Sequence, residues 1–84
     1  MTDVRQHPPL GPAIRAGRGL LNWSQSKLAE EMVCNQKTIQ RLERDGPKVT
    51  QVYKDAAIEV LRLNGVTIHR EGCMISVTLV RNQW

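Results

Sequence analysis

The segment SQSKLAEEMVCNQKTIQRLERDG, Ser24 to Gly46, gathers Gln36, Lys37, Gln40, Arg41 and Arg44 in its second half. Primary amides and guanidinium forks suit one kind of chemistry. They make paired hydrogen bonds to planar groups, either donor–acceptor edges or phosphate oxygens. A surface that needs only solubility is better served by Glu and Lys. Lys37, Arg41, Arg44 and Lys48 recur at i, i+4, i+7 and i+11, which makes a basic stripe on a helix. The plain alternative is a solvated helix face whose cations pair with Glu43 and Asp45. The interleaved amides Gln36 and Gln40 weigh against it.

Other chemistries find little support. Cys34 and Cys73 lie far apart, with no CxxC and no histidine at ligand spacing, so a structural metal site is rejected. Both cysteines are expected to be buried free thiols. His7 and His69 have no acid or nucleophile at telling spacing, and no phosphate loop is present. No enzyme and no cofactor are expected. Twelve Lys and Arg against eight Asp and Glu leave a net charge of +4, which suits a polyanionic partner once the cations cluster. No apolar run approaches a membrane span and no signal peptide is recognised, so a cytoplasmic protein is expected.

These side chains need elements to aim them, and 84 residues allow one small domain. Residues 1–11 read as a flexible arm. Pro12 suits the first turn of a helix carrying Ile14, Arg18, Leu20 and Leu21, and Asn22 suits a left-handed stop. Small residues at Gly17 and Gly19 would let another helix come close. Ser24 is a good N-cap for a helix with Leu28, Ala29 and Met32 inward. Asn35 caps the next, with Ile39 and Leu42 inward, ended by Gly46-Pro47. A further helix runs from about Thr50 to Asn64 through Tyr53, Ala57, Val60 and Leu61. After Gly65 the period changes to two, and VTIHR and MISVTLV read as a β-hairpin. The expected fold is mainly α: a helix-turn-helix domain of about four helices over residues 12–65, with a C-terminal β-hairpin over 66–84.

Two short helices around a tight turn form a helix-turn-helix. Ala29 would lie where they cross most closely, with Leu28, Met32, Cys34, Ile39 and Leu42 closing a small core and Trp23 anchoring it. On these residues the chain resembles the DNA-binding domain of lambdoid phage repressor and Cro proteins, the xenobiotic-response-element (XRE) class. The resemblance runs from Ile14 to about Val66, on RxxxxWSQxxLA (Arg18 to Ala29) and NQKTIQRLERDG (Asn35 to Gly46). It implies an ion pair between Arg18 on the first helix and Glu43 late in the recognition helix. One position departs: the family's turn usually carries Gly where this chain has Val33. Either the turn uses a different backbone, or the two helices are shifted.

The resulting expectation is a non-enzymatic, sequence-specific transcriptional regulator, repressor or activator, that binds an inverted-repeat DNA operator as a homodimer. Gln36 would read adenine, Lys37 and Arg41 guanine, with Gln40 a further base contact. Gln25, Asn35, Thr38, Arg44 and Lys48 would hold phosphates, and Arg5 of the arm would add a contact. The hairpin would build the dimer interface through Ile75, Val77, Leu79 and Trp84. RNA polymerase would be a partner if the protein activates; no small-molecule ligand is expected. The resemblance also suggests a bacterial or phage mobile element and a nucleoid-associated location. The rival reading is a protein-binding antitoxin or anti-activator that captures its partner with the hairpin.

Overall fold

Pro12 lies in the first turn of α1 (Leu10–Leu20), where its missing N–H leaves no hydrogen bond unmade. The computed structural model describes residues 10–44 and 50–80. Leu10 and Gly11 are buried and belong to α1, so the helix begins before position 12. The remainder of the expected arm, Arg5 included, lies outside the described residues, as do Lys48 and Trp84. Two residues past the end of α1, Asn22 takes φ +60° and turns the chain away. There the Asn22 N–H donates to the Gly19 carbonyl and the Trp23 N–H to the Arg18 carbonyl, both at 2.9 Å. These nested bonds satisfy carbonyls that a helix end would otherwise leave unpaired.

Local chemistry also sets the next two helices. Ser24 Oγ accepts the Lys27 N–H at 3.0 Å and starts α2 (Gln25–Met32). Past its end, Val33 adopts φ 55°, ψ 52°, with the Cys34 N–H donating to Ala29 O at 2.9 Å and the Val33 N–H to Glu30 O at 3.2 Å. The turn therefore keeps the left-handed backbone, and the valine bears the strain. Asn35 Oδ1 accepts the Lys37 N–H at 2.8 Å and starts α3 (Gln36–Glu43). The fourth helix, α4 (Gln51–Leu63), precedes an antiparallel hairpin of β1 (Val66–Glu71) and β2 (Met74–Leu79). Gly72 in the two-residue turn has φ +60°, a value glycine adopts without steric cost. The fold is thus mainly α, four helices and one hairpin.

Ile14, Leu28, Ile39, Leu42, Leu61 and Val66 are fully buried and draw every helix and β1 into one core. α1 is central: it packs against α3, α4 and both strands, while α2 packs against α3 and α4. Ala29 is buried between these elements. At Gly17 the close neighbours are the hairpin and α4. A Cβ there would lie 3.0 Å from Val66 Cγ1 and 3.1 Å from Leu61 Cδ1.

Three expectations are corrected. Cys73 sits exposed in the hairpin turn, and Cys34, in the turn between α2 and α3, packs against the core but is only half-buried. Tyr53 is exposed, since only Ala57 and Leu61 of α4 are fully inside the core. Ile75, Val77 and Leu79 do not form a free outer face. They share the inner face with Val66 and Ile68 and pack, half-buried, on this domain's own core.

Candidate nucleic-acid interface

α3 has one acidic residue, Glu43, and the fold turns it inward. Its carboxylate accepts from Arg18 Nε at 2.7 Å and from Arg18 Nη2 at 3.0 Å. Side-chain exposure is 16% for Arg18 and 5% for Glu43, so the pair is a neutral strut between α1 and α3. Arg18 Nη1 also donates to the Trp23 carbonyl at 2.9 Å, which fixes the guanidinium plane. Gln25 adds a further bond, its Nε2 donating to Glu43 Oε1 at 3.1 Å. The Gln25 amide, expected to reach a phosphate, is thus partly committed within the domain.

The acids of the other described elements are engaged elsewhere. Glu31 lies 2.8 Å and Glu30 3.9 Å from Lys27, on their own helix. Glu31 holds the Lys27 pKa above its ordinary value through a hydrogen bond and charge. Lys27 Nζ also stands 5.5 Å from the Trp23 ring centre, a cation–π contact. Glu59 pairs with Arg62 at 2.6 Å, Glu71 approaches His69 at 3.6 Å, and Asp55 accepts from Gln51 at 2.9 Å. Lys37, Arg41 and Arg44 are exposed and have no acidic partner among the described residues. The solvated-face alternative loses Glu43 as a partner for them, and its other partner, Asp45, lies outside the described residues.

The base-reading candidates share this outer side of α3. Gln36, Lys37 and Arg41 are exposed and Gln40 is half-buried. Gln36 is held across the turn: Ser26 Oγ donates to its Oε1 at 2.8 Å, leaving the amide NH₂ and one carbonyl lone pair available. Among the phosphate candidates, Asn35 spends its carbonyl oxygen on the cap, Thr38 is half-buried and Arg44 is exposed just past α3. The Ser26 contact is not foreseeable from spacing, since it joins residues on two helices through a turn of particular shape.

Within the described residues no group of three or more His, Cys, Asp or Glu side chains could hold a metal ion, and no helix is long and apolar enough to cross a membrane. Comparison with known proteins finds no matching family model, no matching curated protein and no matching solved structure. The functional reading therefore stands on geometry and charge. A helix face that carries exposed cations with no acidic partner among the described residues, and the amides of Gln36 and Gln40, can meet a polyanion and hydrogen-bond to planar edges.

Proposed function

We propose that the chain is a sequence-specific, double-stranded-DNA-binding transcriptional regulator that works as a homodimer, with α3 in the major groove. The observation that carries this reading is the separation of charge on α3. Its one carboxylate is sequestered by Arg18, while Lys37, Arg41 and Arg44 have no acidic partner among the described residues. A helix face serving solubility alone has no need to bury its acid and expose its cations. Gln36 reads adenine through its amide, Lys37 and Arg41 read guanine, and Gln40 reaches a base edge less directly. Arg44 and the N–H groups at the start of α2 hold phosphates.

The resemblance to XRE-class regulators agrees with this reading, and the proposal extends to control of a mobile element and a cytoplasmic, nucleoid-associated location. Two-fold assembly supplies the discrimination that one eight-residue helix lacks, and gives an inverted-repeat operator. A protein-capturing role for the hairpin gains less support: Thr67, His69, Ser76 and Thr78 make the middle of its outer face polar, with the exposed Met74 and Val80 apart at the two ends of β2.

Selection on random duplex DNA tests the proposal. An inverted repeat with half-sites spaced by one helical turn, or a multiple of one, is the expected result. Gln36→Ala and Lys37→Ala should each relax one or two positions of the half-site, by about 1–3 kcal/mol. Recovery of no preferred sequence by the parent, or an unchanged preference in both variants, would sink the assignment of α3.

A further inference from the structure

Where α1 meets the helix-turn-helix, a depression of about 340 Å³ opens, lined by Arg15, Gln25, Gln40, Glu43 and Arg44. Its charge is not what the residue names first suggest. Glu43 is tied to Arg18 and Gln25, so its negative charge is already balanced from within the fold. Arg15 and Arg44 come from separate elements, are both exposed, and have no ion-pair partner among the described residues. Among the described residues, the balance of the depression is therefore that of two guanidiniums without an ion-pair partner, with the Gln40 amide and the Gln25 carbonyl beside them.

Two guanidinium forks around an open polar hollow suit a tetrahedral oxyanion, because each fork can donate two parallel N–H bonds to it. The hollow shares Gln40 and Arg44 with the recognition side of α3, so an anion held there lies next to whatever α3 contacts. We propose that this depression is a clamp for one backbone phosphodiester of duplex DNA, with Arg15 of α1 as its second jaw opposite Arg44. The inference rests on the DNA-binding reading above and adds a contact from outside the helix-turn-helix. It also gives the Arg18–Glu43 strut a role beyond stability: the strut sets α1 against α3 and so fixes the gap between the two free arginines.

The test uses the full chain and duplexes of random sequence, with affinity followed against salt. Arg15→Gln should lower the log–log salt slope by about 0.9 per protomer, the expectation for one lost phosphate contact. It should do so on all sequences and leave the selected operator unchanged. Arg15→Lys keeps the charge and should keep most of the slope. Arg70→Gln is the control: it removes the same charge from β1, in the hairpin, which packs on α1 and α4. It should leave the slope near the parent value. Equal slopes for parent and Arg15→Gln, or equal losses for Arg15→Gln and Arg70→Gln, would overturn the clamp while leaving DNA binding intact. A parent that binds no duplex overturns the functional reading and the clamp with it. A shift of the Arg15 Nε–H NMR signal with inorganic phosphate as tight as that with duplex would reassign the hollow to small anions.

Discussion

Ser26 Oγ stands 2.8 Å from Gln36 Oε1, a bond from α2 across the turn to the first residue of α3. Its effect is orientational. With the carbonyl end tethered, the exposed amide can turn less freely. A glutamine that reads adenine must offer both an acceptor and a donor in one plane, so a tether at one end favours the paired geometry.

Ser26→Ala should therefore loosen selectivity at the base pair read by Gln36 while leaving the salt dependence of binding alone. The expected loss is about 0.5–1.5 kcal/mol, the net worth of one hydrogen bond. Affinities for the operator and for a single-pair variant at that position give the readout. Ser26→Thr retains the hydroxyl and should stay close to the parent; unchanged discrimination in Ser26→Ala would mean the tether orients nothing.

Val33 is 91% exposed and holds φ 55°. A left-handed backbone costs an L-residue about 1–2 kcal/mol, and an exposed side chain has little packing to lose. Glycine would relieve the strain but gives back about 0.5–1 kcal/mol through the freer unfolded chain. Val33→Gly should gain up to about 1 kcal/mol, a rise in Tm of roughly 4–8 °C in a domain of this size. Val33→Asn should also gain, because asparagine tolerates this backbone without glycine's added freedom. A lower Tm in both variants would show that the valine makes a contact this reading lacks.

Two of the three glycines of α1, Gly17 and Gly19, separate in the same way. Gly19 has nothing within 4 Å of an added Cβ, so Gly19→Ala should recover about 0.8–1.0 kcal/mol of helix propensity. At Gly17 the same methyl lies 3.0 Å from Val66 Cγ1 and 3.1 Å from Leu61 Cδ1, both on fully buried side chains that would have to shift. Overpacking costs about 1–3 kcal/mol and should outweigh the propensity gain. Thermal melts of the two variants should therefore move in opposite directions. A matching rise in both would argue that the hairpin can shift away from α1.

What was legible in the sequence was largely what is local. Ser24 and Asn35 act as caps, Asn22 as a left-handed stop, and Gly72 turns the hairpin, because each depends on one side chain and its immediate backbone. The change of period after Gly65 marked the hairpin, since alternation needs only one half-buried face. Less legible was which neighbour covers each face. The small residues of α1 suggested a close helix, whereas Gly17 receives Val66 of β1 as well as Leu61 of α4. Helical spacing placed Tyr53 inward, but the first turn of α4 reaches past the core. Gln25 resembled a free amide until Glu43 took it. Such choices depend on tertiary approach, which spacing along one helix does not encode.

The same consideration relocates the expected dimer contact. Ile75, Val77 and Leu79 already cover this domain's helices, so Val77→Lys would injure the fold as well as any interface. Among the described residues β2 pairs only with β1, so its other edge has no strand partner among them. Such an edge is a template for another strand, and a second copy of β2 is the symmetric solution. An antiparallel β2–β2 pair would join two hairpins into one four-stranded sheet whose inner apolar faces run on continuously. Thr78 lies on the outer, exposed face, away from the core. Thr78→Lys should thus leave the melting of the monomeric fold intact while bringing cations close across the two-fold, where like charges oppose pairing. Sedimentation over a range of concentrations should show the parent as a dimer and Thr78→Lys shifted toward monomer, with weaker operator binding and an unchanged preferred half-site. A Thr78→Lys dimer as tight as the parent would place the two-fold away from this edge, and the exposed Val52 and Leu63 of α4 would be the next surface to test.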